Sequence, residues 1–260
     1  MSAVVVRGVA IGTGLPKIIV PIFAADPAEA VAQAGRLADS AADLAELRLD
    51  PLRGADGSLP DAPALCRVMA QVRDAMPDEM PLLVTVRTAA EGGQRPFAPG
   101  EYAGLLRALC AAGAADLIDM ELHTAGDAMP ELCAAAHQAG LAVVASMHDF
   151  DKTPPRADMT AALTAMREKG ADICKLAVMP RTVTDAAELL AATADAKAAM
   201  PQTPLITMSM GPLGAVTRVC GGAFGSAATF GTAGASSAPG QPDAASLRQA
   251  LAALGSCLNR

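Results

Sequence analysis

An α/β fold of the (β/α)8-barrel (TIM-barrel) type is what this sequence predicts, and three observations predict it. Eight short β-rich runs alternate with alanine-rich helical stretches, and parallel strands need such crossovers. The chain has 260 residues, close to the roughly 250 at which such barrels form one domain. The first long β run leads into "VPIFAADPAEA", which contains no glycine, whereas an open doubly wound sheet would place its glycine-rich turn there.

The elements follow in order. The opening "VVVRGVAIGTG" reads as a β-hairpin that closes the barrel floor, and its "GTG" precedes a strand rather than a helix, so it is no dinucleotide fingerprint. Strands are expected at 17–23, 44–50, 81–88, 117–123, 141–148, 172–179, 204–210 and 227–232. Helices are expected at 27–38, 61–76, 99–112, 128–139, 158–169, 183–200, near 213–220 and at 243–257. Asp26-Pro27-Ala28-Glu29 has the form of a capping box with proline at the first helical position. Gly113, Gly140 and Gly170 stand where helices end in a left-handed residue. No linker or low-complexity stretch divides the chain, so residues 1–260 are expected to form a single barrel domain.

Composition excludes several classes of function. The formal charge is −7 and there is no basic run, which argues against binding a phosphate backbone. With 2% aromatic residues, no Trp and one Tyr, there is little to stack on bases. No apolar run reaches the ~18–20 residues of a membrane span, and the first residues lack the form of a signal peptide, so a cytoplasmic protein is expected. The six cysteines are scattered without a C-x-x-C pair, as reduced core thiols would be. His123, His137 and His148 show no ligand-like grouping with them, so no metal site is expected.

In a barrel of this type the active site forms at the C-terminal ends of the strands. There the sequence places Glu46, Arg48 and Asp50 at period two in "ELRLD", Arg87 and then Glu91 in "VRTAAEGG", and His148 in "SMHDF". Arg218 follows the seventh strand, and Ser236, Ser237 and Gln241 follow the eighth. The most informative residue is Lys175, alone in the apolar run "ADICKLAVMP". A buried lysine must pair with a carboxylate or shed its proton. Unperturbed, it is free amine in only about one molecule in 2,500 at pH 7, but burial and nearby cations lower its pKa. The expectation is therefore a neutral amine that attacks a ketone or aldehyde to form a Schiff base. His148, one strand away, is the expected general base. Cys174, its neighbour in the strand, should point the other way. A class I aldolase and a class I dehydratase both fit this much.

The segments "ELRLD", "VRTAAEGG", "SMHDF", "GADICKLAVMP", "ITMSMG", "FGSAATFG" and "SAPGQ", in this order and spacing, resemble the type I 3-dehydroquinate dehydratases. That resemblance implies a barrel, commonly a homodimer, which dehydrates the small molecule 3-dehydroquinate in the shikimate pathway without metal or cofactor. It implies that Lys175 forms the imine at C3, that His148 moves the C2 proton and helps water leave from C1, and that Glu91 holds His148. It further implies that Arg218 clamps the substrate carboxylate, that Glu46, Arg48 and Arg87 hold ring hydroxyls and balance charge, and that Ser237 and Gln241 close over the substrate. The stretch "MGPLGAVTR" departs from the charged residues many relatives carry before this arginine.

Overall fold

The computed structural model describes residues 3–54, 56–234 and 240–258. After an antiparallel pair, β1 (Val4–Val6) and β2 (Val9–Ile11), come eight strands: β3 (Lys17–Ile22), β4 (Leu44–Arg48), β5 (Leu82–Thr85), β6 (Leu117–Glu121), β7 (Ala142–Asp149), β8 (Ile173–Val178), β9 (Leu205–Ser209) and β10 (Ala228–Phe230). All seven pairings within this sheet are parallel, and β10 pairs with β3. A single bridge between Leu205 and Ser226 joins the remaining edges and closes the barrel. The helices are α1 (Pro27–Arg36), α2 (Ala62–Ala75), α3 (Pro99–Ala111), α4 (Leu122–Ala125), α5 (Met129–Gln138), α6 (Arg156–Glu168), α7 (Val183–Ala199), α8 (Gly211–Cys220) and α9 (Ala244–Leu258). The helix α4 was not expected: the strand predicted to run to residue 123 stops at Glu121, and the chain turns into one helical turn.

Alternation along each strand separates two cores. Outward-facing residues such as Val20, Leu47, Val84, Met120, Val143 and Leu176 meet the helices in one large cluster, where Cys174 also lies, fully buried and turned from Lys175 as expected. Inward-facing Ile19, Leu44, Leu83, Leu117, Val144, Ile173, Ile206 and Ala228 fill the lower interior. Ile11 of the hairpin joins this inner cluster, with Val4, Val6 and Val9 packed against it, so the hairpin does close the floor. Its Arg7 takes φ +48° and Gly8 φ +81°, the two left-handed residues of a tight hairpin. Arg7 is held there by Asp116, at 2.7 Å from Nε to Oδ1.

Helix ends follow the sequence signals closely. Gly113, Gly140 and Gly170 all take positive φ. Asp26 caps α1 by accepting from the Ala28 N–H at 2.7 Å. The reciprocal arm of the predicted capping box is missing, because Glu29 accepts instead from Arg36 at 2.7 Å and Gln33 at 3.2 Å. A guanidinium on the same helix is a stronger partner for a carboxylate than a backbone amide.

Ile11 is 1% exposed. Ile11→Ala is expected to cost about 2–5 kcal/mol of stability, read as a lower urea midpoint, while chemistry at the opposite end of the barrel persists below the transition.

Candidate active site

Above the aliphatic layer the barrel interior changes to polar side chains. Glu46, Arg48, Thr85, Arg87, Asp119, Glu121, Ser146 and Lys175 are all buried there. Each sits at an inward-facing position late in its strand or just past its end. Parallel register sets Lys175 beside Ser146, and Ser146 beside Glu121.

Lys175 is 4% exposed, and its Nζ lies 3.3 Å from Glu46 Oε1 and 3.5 Å from Asp119 Oδ2. The ring of Phe230 covers it at 4.5 Å. The nitrogen thus stands between two carboxylates, a setting the sequence does not announce. The second of them is Asp119, which the sequence reading did not place in the site. Glu46 is further tied to the Thr85 hydroxyl, which donates to Oε1 at 3.0 Å.

Arg87 is the hub of the charges. Its Nη2 donates to Asp119 at 2.9 Å, and its Nη1 reaches Glu121 at 2.9 Å, Ser146 at 3.0 Å and Glu91 at 3.4 Å. Burial alone would lower Arg87, but Asp119, Glu121 and Glu91 outweigh it and push its pKa up. Burial alone would raise Asp119, but Arg87 and Lys175, with the Ser146 hydroxyl donating at 2.7 Å, hold it below the ordinary carboxylate range. Glu121 also accepts from the Thr88 N–H at 2.8 Å, the Thr88 hydroxyl at 2.7 Å and the Thr124 hydroxyl at 2.6 Å. Arg48 forks onto Asp50 at 2.7 and 3.0 Å and lies over the Phe23 ring.

His148 Nδ1 lies 2.9 Å from Glu91 Oε2, and the same oxygen accepts the His148 backbone N–H at 3.0 Å. Burial, reinforced by Arg87, Lys175 and Arg48, pushes His148 well below its usual 6.5. Burial likewise pushes the Glu91 carboxyl up to about 8, against the pull of Arg87. Both shifts favour uncharged forms, so the pair rests with a neutral imidazole. Glu91 Oε2 already accepts from two neighbours, so the ring presents Nδ1–H to it and leaves Nε2 as the base. A proton on Glu91 belongs on Oε1, which is buried and has no hydrogen-bond partner. Phe150 stacks on His148 with ring centroids 6.5 Å apart. Gly92, at φ +82°, makes room for it: a Cβ there would stand 2.2 Å from the Phe150 ring.

The mouth is completed by Ala177, Met208, Met210, Phe230, Arg218 and Gln241. Arg218, on α8, is 2% exposed, and burial draws its pKa down to about 10, which leaves it a cation at neutral pH. Its Nη1 rests on the Met208 sulfur at 3.4 Å. Gln241 reaches the mouth because the chain before it presses against α8: Gly240 has φ +76°, and a Cβ there would stand 2.4 Å from the Gly211 carbonyl oxygen. The cavity encloses about 250 Å³, at the small end of ligand sites, which run roughly 300–1,000 Å³. It suits a compact polar acid rather than a dinucleotide.

Eight of the nine residues given a role by the family resemblance therefore converge: Glu46, Arg48, Arg87, Glu91, His148, Lys175, Arg218 and Gln241 all line one cavity. Ser237, with Ser236, lies outside the described residues. Missed were Asp119, Glu121 and Ser146, together with the apolar lining of Phe150, Met208, Met210 and Phe230. The two acids carried a signal, since "LIDME" repeats the period-two polar pattern that exposed Glu46, Arg48 and Asp50.

A closed barrel with a buried amine, a neutral imidazole on the next strand and a guanidinium at the mouth defines an enzyme that works on a small anionic molecule by amine and acid–base chemistry. The family model for type I 3-dehydroquinase matches residues 18–257. The chain is 41% identical over 251 residues to the 3-dehydroquinate dehydratase of Enterococcus faecalis, covering 96% of this chain and 97% of that one. It is 39% identical over 254 residues to the enzyme of Salmonella paratyphi B, covering 98% and 99% respectively. Among solved structures, the 3-dehydroquinate dehydratase of Geobacillus kaustophilus aligns with a TM-score of 0.92 at 36% identity, over 98% of this chain and 97% of its own. The type I enzyme of Clostridium difficile, solved with covalently modified comenic acid, aligns at 0.92 and 35%, over 99% and 100%. The chain belongs to the type I 3-dehydroquinase family.

Two expectations follow from the electrostatics. Nitrogen NMR of His148 should show the neutral Nδ1–H tautomer at and below pH 6.5, because the folded pKa lies below that of the unfolded chain. With that sign, the stability contributed by the neutral ring is present above pH 6.5 and is lost as pH falls from there down through the depressed folded value. Arg87→Leu should cost about 3–5 kcal/mol in chemical denaturation, since it strands Asp119 and Glu121 without their cation.

Proposed function

We infer that this chain dehydrates 3-dehydroquinate to 3-dehydroshikimate, the reaction of its family in the shikimate pathway. The observation that carries the mechanism is the position of Lys175 Nζ in the barrel mouth, with His148 on the adjoining strand and Glu91, from the turn after β5, against its ring. Lys175 joins C3 of the substrate, and the ketone oxygen leaves as water. The resulting iminium acidifies the proton on C2, which His148 Nε2 removes. The enamine then expels the C1 hydroxyl, and His148 returns its proton so that water departs. Hydrolysis of the conjugated imine releases the enone product and restores the lysine.

The surroundings support each step. Glu91 fixes the ring tautomer and takes up the charge that develops on the imidazolium, a role usual for the third member of such an arrangement. Arg218 receives the substrate carboxylate in its planar fork. Glu46 and Arg48 face the ring hydroxyls. Arg87 is engaged on all sides by carboxylates and Ser146, so its part is charge balance rather than a hydroxyl contact. Gln241, and Ser237 with it, close over the substrate and exclude water while the imine lives. One barrel domain, a cytoplasmic location and a homodimer belong to the same proposal and rest on the family resemblance.

A class I aldolase is the alternative from the sequence. It cleaves a carbon–carbon bond and typically needs a phosphate site near the last strands; the cation placed at this mouth is instead a buried arginine suited to a carboxylate.

Incubation with 3-dehydroquinate should raise the ultraviolet absorbance of the enone. His148→Ala is expected to lower kcat by about 10²–10⁴-fold, and Lys175→Ala to abolish turnover. Borohydride added during turnover should fix the substrate skeleton on Lys175, seen by peptide mass spectrometry. Product formation with no adduct at that residue would refute the imine.

A further inference from the structure

We propose that Asp119 is the counter-ion of the imine nitrogen, the residue that keeps the Lys175 Schiff base protonated and therefore able to act as an electron sink. The inference deepens the dehydratase reading and rests on it.

The starting point is charge conservation. Written in full, an ammonium and a ketone give an iminium and water: two of the three hydrogens on Nζ leave with the ketone oxygen, and one stays. One positive nitrogen goes in and one comes out. The carboxylates that hold the resting ammonium therefore face the same charge after the covalent bond forms. Attack needs a lone pair, so one proton passes first from Nζ to a neighbouring base such as His148 Nε2 and returns in the water that leaves; the ion-paired setting then holds the iminium that results.

Glu46 and Asp119 both flank Nζ, and their surroundings separate their roles. Glu46 Oε1 already accepts the Thr85 hydroxyl at 3.0 Å. Asp119 Oδ2 is buried and accepts from no hydrogen-bond donor, although it stands 3.5 Å from Nζ. Its other oxygen is pinned by Arg87 at 2.9 Å and by Ser146 at 2.7 Å, so the carboxylate cannot swing away. It therefore offers a fixed lone pair to the single N–H that the iminium retains.

The remaining ionisable groups around Nζ do not supply that charge. On β4, Arg48 is spent on Asp50. Past β5, Arg87 answers Glu121, and Glu91 is pushed toward its neutral form by burial. His148 on β7 is neutral at rest, and Arg218 on α8 adds a further cation. Arg48, Arg87, Lys175 and Arg218 thus stand against Asp50, Glu121, Glu46 and Asp119, four cations against four anions, and Asp119 is the anion beside the reacting nitrogen whose Oδ2 is left for it.

The test reads the protonation of the imine rather than activity alone. Cyanoborohydride reduces protonated imines and spares neutral ones. With 3-dehydroquinate and the full chain, the rate of adduct formation at Lys175 is followed by mass spectrometry from neutral to alkaline pH. An opposite charge at this range shifts a pKa by about 1–3 units. Asp119→Asn should therefore move the alkaline fall of trapping down by about that much, at least tenfold slower at alkaline pH, and the shift in Glu46→Gln should be clearly smaller. Coincident profiles for Asp119→Asn and wild type, or a shift in Glu46→Gln alone, would overturn the assignment. Absence of any adduct in the wild type would overturn the imine and this assignment together. Because Asp119 also anchors Arg87, a measurement on the unmutated protein guards against a variant that fails to fold. With lysine labelled at Nζ and 3-dehydroshikimate bound, the one-bond nitrogen–hydrogen coupling should persist into alkaline pH, and its loss near neutrality would refute the counter-ion.

Discussion

Charges buried together have to cancel, and in this barrel they cancel through Arg87. Moving an ion from water into protein costs several kcal/mol even after relaxation, and here Glu46, Arg48, Asp50, Arg87, Asp119, Glu121 and Lys175 are all buried within one end of the barrel. Arg87 ties β6, β7 and the turn carrying Glu91 to the end of β5 through one guanidinium. The orientation of Glu91, and through it of His148, is therefore set by the same group that keeps Asp119 ionised beside Lys175. The two halves of the catalytic apparatus, amine and base, share a single electrostatic anchor.

The fold makes this anchor possible by dividing the barrel interior along its axis. The lower half is filled with aliphatic side chains and plugged by the hairpin, so the polar layer above it has a dry floor. Inward-facing positions recur every second residue, which turns a step of two along a strand into a step from core to site: Leu44 to Glu46, Leu83 to Thr85, Leu117 to Asp119, Val144 to Ser146 and Ile173 to Lys175. A low-dielectric base beneath a charged layer strengthens every interaction in that layer, and burial together with Arg87, Lys175 and Arg48 pushes His148 to its neutral form.

Much of this was legible in the sequence because period-two alternation and strand ends are local properties. Glu46, Arg48, His148 and Lys175 declared themselves as polar residues interrupting apolar runs, and their convergence followed from barrel topology. The protonation setting of Lys175 did not, because it depends on Asp119, 56 positions away and brought near only by the closed sheet. Asp119 and Glu121 carry the same alternating signal as Glu46 and Arg48, but nothing local in "LIDMELH" separates a strand that lines the site from one that only builds the core. The reciprocal cap at Glu29 failed for a related reason: its competitor Arg36 lies two turns along, beyond the short window of the motif.

The balance at the site also constrains how charge moves through a turnover. While the C2 proton is on His148, the nitrogen has become a neutral enamine and the positive charge sits on the imidazolium. Asp119 then faces an uncharged nitrogen, while the imidazolium lies with Nδ1 2.9 Å from Glu91 Oε2. The positive charge passes from the nitrogen beside Asp119 to the ring beside Glu91, and both carboxyl groups contact Arg87. A counter-ion that stabilised only the iminium would deepen the ground state and slow removal of the proton; a second carboxyl group hydrogen-bonded to the imidazolium offsets that penalty. The buried guanidinium between them allows a positive charge to shuttle from lysine to histidine and back without the site ever holding an uncompensated ion.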